Sequence, residues 1–368
     1  MPKGLGGGPP DVRAITAYVD DAVMALRGMS ALRAAQSFLR KHGLSSGRAW
    51  EELASRFREH ITNDDLDPKD LTGLVIDLRS RLGKLISVYN VSKEVHKLMW
   101  AMALQTGNTL AKGNLSDRFP WTLPEKELEE LGTKPRHVFT RTTAEGVEMI
   151  FTSARVGKRI DEVGIEDIAE DARTNYSNAD RIYAERIERV QAFDIIFIPR
   201  NSRLIQIRVD ARATTGRERA DEMKAVLETV AIARGEITAL DFVAINLFPA
   251  IRSIYDDADV GRVNGLQFDC STGTNRREVM RKVTDETDLR REPYHVAGVN
   301  EVDITLYWLS VDLEVPDEKY PERIELVLPG TIRNLQGQPL TAFEVSTFAS
   351  ESAIGHAVEV LFDHVKPS

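Results

Sequence analysis

The run Phe193–Asp210 contains the polar residues that are best placed to do chemistry. It is predicted to form two apolar strands joined by a turn at Pro199–Arg203, with Asp194 in the first strand and Gln206 and Arg208 in the second. In such a hairpin Asp194 lies opposite Arg208. Because side chains alternate between the two faces of a strand, this register predicts that all three polar residues share one face.

An acid on one strand, an amide and a basic residue on the next, and then a helix resemble the core of the PD-(D/E)xK nucleases. The resemblance covers only a short part of the chain and implies a metal-dependent nuclease, with Asp194, Gln206 and Arg208 as catalytic residues and Mg²⁺ as the cofactor. Two positions depart from the family pattern. Gln206 stands where an acid is usual and Arg208 where lysine is usual, and an amide binds a hard cation weakly while guanidinium does not give up a proton. The alternative interpretation is an Asp194–Arg208 ion pair on a partly exposed sheet face, with neither metal nor cofactor.

Basic residues are concentrated in two groups. The first comprises Arg200, Arg203, Arg212 and Arg217, and the second comprises Arg276, Arg277, Arg281 and Lys282. Guanidinium groups at a hairpin tip or a helix start can contact phosphates or carboxylates. We therefore expect an Arg-rich face that binds nucleic acid or an acidic protein partner. Ordinary solvated surface charge offset by nearby acids is the alternative, and the acidic stretch 161–171 is a candidate internal partner.

Several classes of site and location are disfavoured by the sequence. Phosphate-loop, GxSxG and HExxH motifs are absent, and the seven histidines do not fall at metal-ligand spacing. The net charge of −9 restricts any nucleic-acid contact to a local patch. Cys270 is the only cysteine, which favours a reducing compartment, and no apolar run is long enough to span a membrane. These features predict a cytoplasmic protein without a membrane partner.

The N-terminal part has helical periodicity. Residues 1–10 are a Gly/Pro-rich segment that we expect to be disordered, and 11–104 are expected to form a bundle of short helices. Asp67-Pro68 is a strong helix start, and the helix after it is predicted to bury Leu71, Leu78 and Leu85. The segment 105–135 loses this periodicity and is predicted to be a linker with one short helix.

From residue 136 to residue 368 the pattern predicts strands and flanking helices. Helices are expected within the acidic stretch 161–171, at Ala179–Val190, over 215–235 and at Glu351–Val365. Strands are expected at His137–Thr142, Val147–Ala154, Phe193–Ile198, Leu204–Val209, Leu266–Cys270, Val302–Val315, Arg323–Leu328 and Ala342–Phe348.

The predicted fold is therefore α+β, with an N-terminal bundle of short helices before a mixed, largely antiparallel sheet domain with flanking helices. We expect a non-enzymatic interaction protein, in which the helical region binds a protein or self-associates and the second domain offers the Arg-rich face. A divergent metal-dependent nuclease and a structural subunit of a larger assembly are the alternatives.

Overall fold

A computed structural model describes most of the chain. The described residues are 12–109, 114–176, 182–211, 240–280, 287–315, 322–345 and 349–365, with short pieces at 221, 224–228, 231 and 238. The predicted N-terminal tail and most of the predicted helix over 215–235 lie outside these ranges. Within that helix, the piece 224–228 is helical.

Helices occur in both halves of the chain, and their bounds are as follows. They are α1 Val12–Gly28, α2 Leu32–Lys41, α3 Trp50–Thr62, α4 Pro68–Arg81, α5 Lys93–Thr109, α6 Asn114–Arg118, α7 Glu125–Leu131, α8 Glu170–Arg173, α9 Phe248–Asp256, α10 Pro293–Glu301, α11 Ile332–Leu335 and α12 Glu351–Val365. The start of α4 is the predicted one, because Asp67 accepts a hydrogen bond from the Lys69 N–H at 2.8 Å and proline follows it.

Ten described strands form a single sheet. They are β1 Lys84–Asn90, β2 Arg136–Thr142, β3 Gly146–Val163, β4 Ile182–Pro199, β5 Leu204–Asp210, β6 Arg262–Cys270, β7 Asn275–Val279, β8 Ile304–Val315, β9 Glu322–Leu328 and β10 Phe343–Val345. Their order across the sheet is β2-β3-β4-β5-β1-β10-β9-β8-β6-β7, and neighbouring strands are antiparallel. The α+β class predicted from the sequence is confirmed.

Helices cover the sheet differently in its two halves. In the half with β1 to β5, α5 packs on one face with Met99 and Ala103 buried, while α4 contacts β4 on the other. In the half with β6 to β10, α9 and α12 bury an apolar layer that includes Leu309 and Val311 of β8. The alternate residues of β8 carry polar or amphipathic groups: Trp308, Ser310, Asp312 and Glu314. The face that carries these four side chains is called the polar face below, and a half-solvated face is usual for antiparallel sheets.

The strand β1 corrects the sequence-based prediction for the helical region. Leu85 was expected in the helix that begins at Pro68, but that helix ends at Arg81. Residues 84–90 instead form a strand between β5 and β10, in the middle of the sheet. Within the predicted linker 105–135, Leu123, Leu128 and Leu131 are buried against Ala154 of β3.

The stretch Ala179–Val190 is a second correction. Its alternating Arg and Glu residues were expected on a solvated helix, but residues 182–190 belong to β4 and pair with the distal half of β3. The acidic stretch 161–171 begins at the end of β3 and continues into a short 3₁₀ turn and the start of α8. Strand pairing here overrides the local helical pattern.

Candidate docking surface at the edge strand

The residues of the nuclease-like pattern do not converge on an open site. In the structure Ile195 is opposite Arg208 and Phe197 is opposite Gln206, so Gln206 and Arg208 share a face that does not include Asp194. The predicted register is wrong by one residue, because the loop is Arg200–Arg203 rather than Pro199–Arg203. A shift of one residue exchanges the two faces of a strand.

Burial is the second difference from the prediction. The exposed fractions of Asp194, Gln206 and Arg208 are 0%, 2% and 0%, whereas a partly exposed sheet face was expected. The contacts of these two described residues do not include the predicted Asp194–Arg208 ion pair. Asp194 instead binds the guanidinium of Arg155 and accepts a hydrogen bond from the Asp210 N–H at 2.9 Å.

Arg208 lies at the centre of a buried ionic cluster that joins α4 and α12 to the sheet. It donates to Glu351 Oε2 at 2.8 Å and to the Gln206 side-chain oxygen at 2.8 and 3.0 Å. Arg81 of α4 lies 3.3 Å from the same carboxylate. Arg208 therefore binds both the Glu351 carboxylate and the Gln206 amide, and this geometry supports a structural role for Gln206 and Arg208.

The same cluster extends to the edge of the sheet through Glu148. The Glu148 carboxylate accepts hydrogen bonds from Arg141 at 2.6 Å and from the Ser80 hydroxyl at 3.1 Å. Arg141 also binds Asp77 of α4 at 2.7 Å. Each of these charges therefore has an opposite charge close to it, as buried ions require.

Two buried carboxyl groups differ in the direction of their pKa shifts. Burial raises the pKa of Asp194 above its ordinary value, despite the charge of Arg155 and the Asp210 N–H. Burial would also raise the pKa of Glu351, but the charges of Arg208 and Arg81 and the hydrogen bonds from Arg208 outweigh it and lower that pKa.

The described residues of the first arginine group, Arg200 and Arg203, lie at a hairpin tip. The Arg200 side chain donates to the carbonyls of Thr143 and Ala144 at 3.1 and 3.0 Å and lies over the ring of Trp100. Arg203 is exposed. The positions of Arg212 and Arg217 lie outside the described residues.

The described residues of the second arginine group lie far from those of the first. Arg276 and Arg277 are exposed on β7, and Arg281 and Lys282 lie outside the described residues. β7 is six strand positions from β5, which corresponds to about 29 Å at about 4.8 Å per step. Among the described residues, the structure therefore has two separate basic patches where one Arg-rich face was expected.

Among the described residues, no strand pairs with the outer edge of β7. The Met280 N–H donates to the Asn264 carbonyl and the Cys270 N–H donates to the Thr274 carbonyl, both at 2.8 Å. Combined with the register of the two strands, these two bonds show that the even-numbered residues of β7 form the backbone hydrogen bonds to β6. Because hydrogen-bonded and non-hydrogen-bonded pairs alternate in an antiparallel ladder, Asn275, Arg277 and Val279 direct their N–H and C=O groups away from β6.

The side chains of this edge are accessible on both faces. Val279 is 57% exposed, and both arginines are exposed. On the polar face the Arg277 guanidinium lies 5.7 Å from the centre of the Trp308 ring. At the opposite edge of the sheet, β2 has an irregularity between His137 and Phe139 and contacts α6, both of which protect an edge strand.

A carboxylate–imidazole–phenol chain holds α10 next to this edge. His295 is the only buried residue of α10. Its Nδ1 lies 2.6 Å from Glu278 Oε2 on β7, and its Nε2 lies 2.8 Å from the Tyr255 hydroxyl on α9. Burial raises the pKa of Tyr255, so its phenol is not prepared for use as a nucleophile.

Sequence reasoning did not predict β7, His295 or Trp308 as parts of one surface. A signal for β7 was present, because Ser271–Thr274 is a turn-type sequence whose Gly273 has a φ of +82° in the structure. Nothing in the local sequence marks His295 or Trp308, since their partners lie on other elements.

Comparisons with known proteins do not identify this chain. No protein-family model, curated protein or solved structure matches it. In the part of the chain that the structure describes, no group of three or more His, Cys, Asp or Glu side chains is placed to hold a metal ion. Among the same residues, no helix combines the length and the apolar character needed to cross a membrane.

Proposed function

We propose that this chain is a non-enzymatic interaction protein that binds an extended, acidic segment of a different protein as an additional strand on β7. The observation that carries the proposal is the outward direction of the backbone groups of Asn275, Arg277 and Val279, beside two exposed arginines. Main-chain hydrogen bonds supply affinity when a strand is added to a sheet edge, and alternate side chains supply specificity.

Charge favours an acidic segment. Arg276 and Arg277 are consecutive residues of a strand, so they project to opposite faces of the sheet. A segment bound along β7 therefore meets a cation on each face. Acidic side chains next to these positions would form cross-strand ion pairs and increase the rate of association.

A second copy of the chain is disfavoured as the occupant. In a two-fold antiparallel pair of β7 strands, the central residue lies opposite its own copy. Centring the pair on Arg276, Arg277 or Glu278 therefore places like charges directly opposite each other at its centre, and in the Arg277-centred register the Glu278 that would face Arg276 is already bonded to His295. These three registers give the longest overlap of the strand, so a different protein is the better partner.

A nucleic acid is the competing occupant, because the same arginines can contact phosphates. The polar face next to them carries Asp312, Glu314 and the neighbouring Glu325, and the whole chain has a net charge of −9. A phosphate backbone carries a charge at every nucleotide and is repelled by these carboxylates along the whole face, whereas a protein segment needs acids only beside the two arginines. We therefore favour a protein segment.

The proposal includes a cytoplasmic location, which rests on the single, unpaired Cys270. The expectation that the helical region also binds a protein stays a prediction. Its exposed surface includes a shallow depression between α1 and α3, lined by Val23, Trp50 and Ala54.

The test is a selection of random displayed peptides on the full chain, followed by titration of the enriched peptides against variants. Val279→Pro removes an N–H that points away from β6, so the ladder with β6 is kept and only the outer edge is blocked. Val279→Thr keeps that N–H and is the matched control. We expect enrichment of acidic peptides, loss of their binding in Val279→Pro and retained binding in Val279→Thr.

Two further measurements complete this test. Hydrogen exchange of the Arg277 and Val279 amides should slow when an enriched peptide binds. The double variant Arg276→Glu/Arg277→Glu should weaken binding, while Arg40→Glu/Arg203→Glu, with the same change of net charge at other exposed sites, should not. Enriched peptides that bind the folded Val279→Pro variant as well as the wild type would contradict the proposal, as would tighter binding of a single-stranded DNA probe at the same arginines.

A further inference from the structure

Three side chains form a compact group on the polar face of the β7 edge. A Cβ atom added to Gly265 would lie 2.8 Å from Cζ3 of Trp308, so the indole lies directly over this glycine. Gly265 is also the cross-strand partner of Val279. The Arg277 guanidinium lies over the indole ring. The cation of Arg277 and the apolar surfaces of Val279 and Trp308 are therefore neighbours.

A strand bound to β7 would present two side chains to this group. Residues at alternate positions of a strand share a face, so one residue of the bound strand lies beside Arg277 and another, two positions away, lies beside Val279. An acid at the first position pairs with the guanidinium. A large apolar residue at the second position packs against Val279 and the edge of the Trp308 ring.

We infer that the β7 edge selects segments in which an acidic residue and a large apolar residue are two positions apart, and that Arg277, Val279 and Trp308 read them. The inference rests on the proposed strand addition and deepens it. The order of the two residues along the partner depends on whether its strand runs parallel or antiparallel to β7.

The partner residue between these two positions is not selected by its charge. It faces the side of the sheet where Glu278 lies, and the Glu278 carboxylate is bonded to His295 Nδ1 at 2.6 Å. A charged side chain at this position would have to compete with an existing charge-assisted contact. Of the three consecutive partner positions beside Arg277, Glu278 and Val279, the two on the polar face therefore carry the specificity.

The experiment compares short blocked peptides that differ only at these two positions. The reference peptide has glutamate and leucine two apart in a threonine background, in both orders. One set of controls replaces glutamate by lysine, and another places glutamate and leucine on adjacent positions. Binding to the full chain is measured by titration calorimetry for the wild type, Arg277→Glu, Trp308→Ala and Arg203→Glu.

The wild type should prefer the glutamate peptide to the lysine peptide by tenfold or more, which corresponds to about 1.4 kcal/mol. Arg277→Glu should reverse this preference, and Trp308→Ala should reduce the preference for leucine over threonine. Arg203→Glu should behave as the wild type. A wild-type chain that binds both peptides equally, or binds neither, overturns the inference.

The variant Val279→Pro separates this inference from the proposed function. If Val279→Pro abolishes peptide binding but Arg277→Glu leaves the charge preference unchanged, strand addition stands and the reading by Arg277 fails. If peptides bind equally well to the folded Val279→Pro variant, both proposals fail.

Discussion

Among single residues, buried charges show how strongly position decides what a side chain does. Asp194 and Glu351 are both buried carboxylates with arginine partners. Asp194 has one arginine and lies near a second acid, Asp210, whereas Glu351 is close to Arg208 and Arg81. The balance between burial and nearby cations therefore raises the pKa of one carboxyl group and lowers that of the other.

This difference predicts opposite effects of pH on stability. The folded pKa of Glu351 is below its unfolded value near 4.5, so its contribution is present above that pH and is lost as the pH falls. The folded pKa of Asp194 is above its unfolded value near 3.8, so its contribution is complete below that pH and is lost as the pH rises.

Urea unfolding between about pH 6 and pH 3.5 measures both effects as differences between wild type and variant. The stability advantage of the wild type over Glu351→Gln should shrink on acidification, and its advantage over Asp194→Asn should grow. Glu314→Gln, which removes an exposed glutamate paired with Arg323, is the surface control. Parallel pH trends for the two buried variants would contradict the assignment.

At the scale of elements, one imidazole connects the edge strand β7 to a helix that has little core of its own. α10 buries only His295, and this imidazole connects the helix to Glu278 of β7 and to Tyr255 of α9. The contact therefore couples β7 to two helices through one side chain. Polar contacts of this kind specify one arrangement because each buried group has a partner.

We predict that His295→Ala releases α10 while the sheet stays folded. The free energy of unfolding should fall by about 1 to 3 kcal/mol, because Tyr255 and Glu278 lose a buried hydrogen-bond partner. Amide hydrogen exchange should become faster over 293–301 and on β7. Tyr294→Ala changes a residue of the same helix that is 70% exposed and is the matched control. Unchanged exchange in His295→Ala would show that other contacts hold the helix.

At the scale of the whole molecule, the sheet is assembled from distant parts of the chain. β1, from the N-terminal helical region, pairs with β5 along its whole length and with β10 near the C-terminus. The ionic cluster adds a second link, since Arg81 of α4 and Arg208 of β5 share the carboxylate of Glu351 on α12. Both links cross the predicted domain boundary within 105–135.

We expect that residues 136–368 do not fold without the preceding region. The fragment lacks β1, so β5 and β10 lose their common neighbour and the sheet divides into two parts with new open edges. Circular dichroism and urea unfolding of the purified fragment measure the outcome, and co-expression with residues 1–135 should restore a cooperative transition. Cooperative unfolding of the fragment alone would support two independent domains.

The sequence by itself determined those elements whose residues carry a clear local pattern. The helix Glu351–Val365 has the predicted bounds, and the strands β5, β6, β8 and β9 lie where alternation or an apolar run predicted them. Asp67 and Pro68 predicted the start of α4 through a cap that forms within a few residues. Local propensity is sufficient in such cases because the stabilising contacts are close in the chain.

Only the tertiary structure decided the surface at the β7 edge and the buried ionic cluster around Arg208. Residues 84–90 and 182–190 are strands because other strands pair with them, although Leu85 and the stretch Ala179–Val190 were predicted to be helical. The partners of Arg208, His295 and Trp308 come from other elements, and a loop one residue shorter than expected changed which polar residues share a face. The physical reason is that strand register and side-chain partners are set by long-range pairing, which no local segment of the sequence contains.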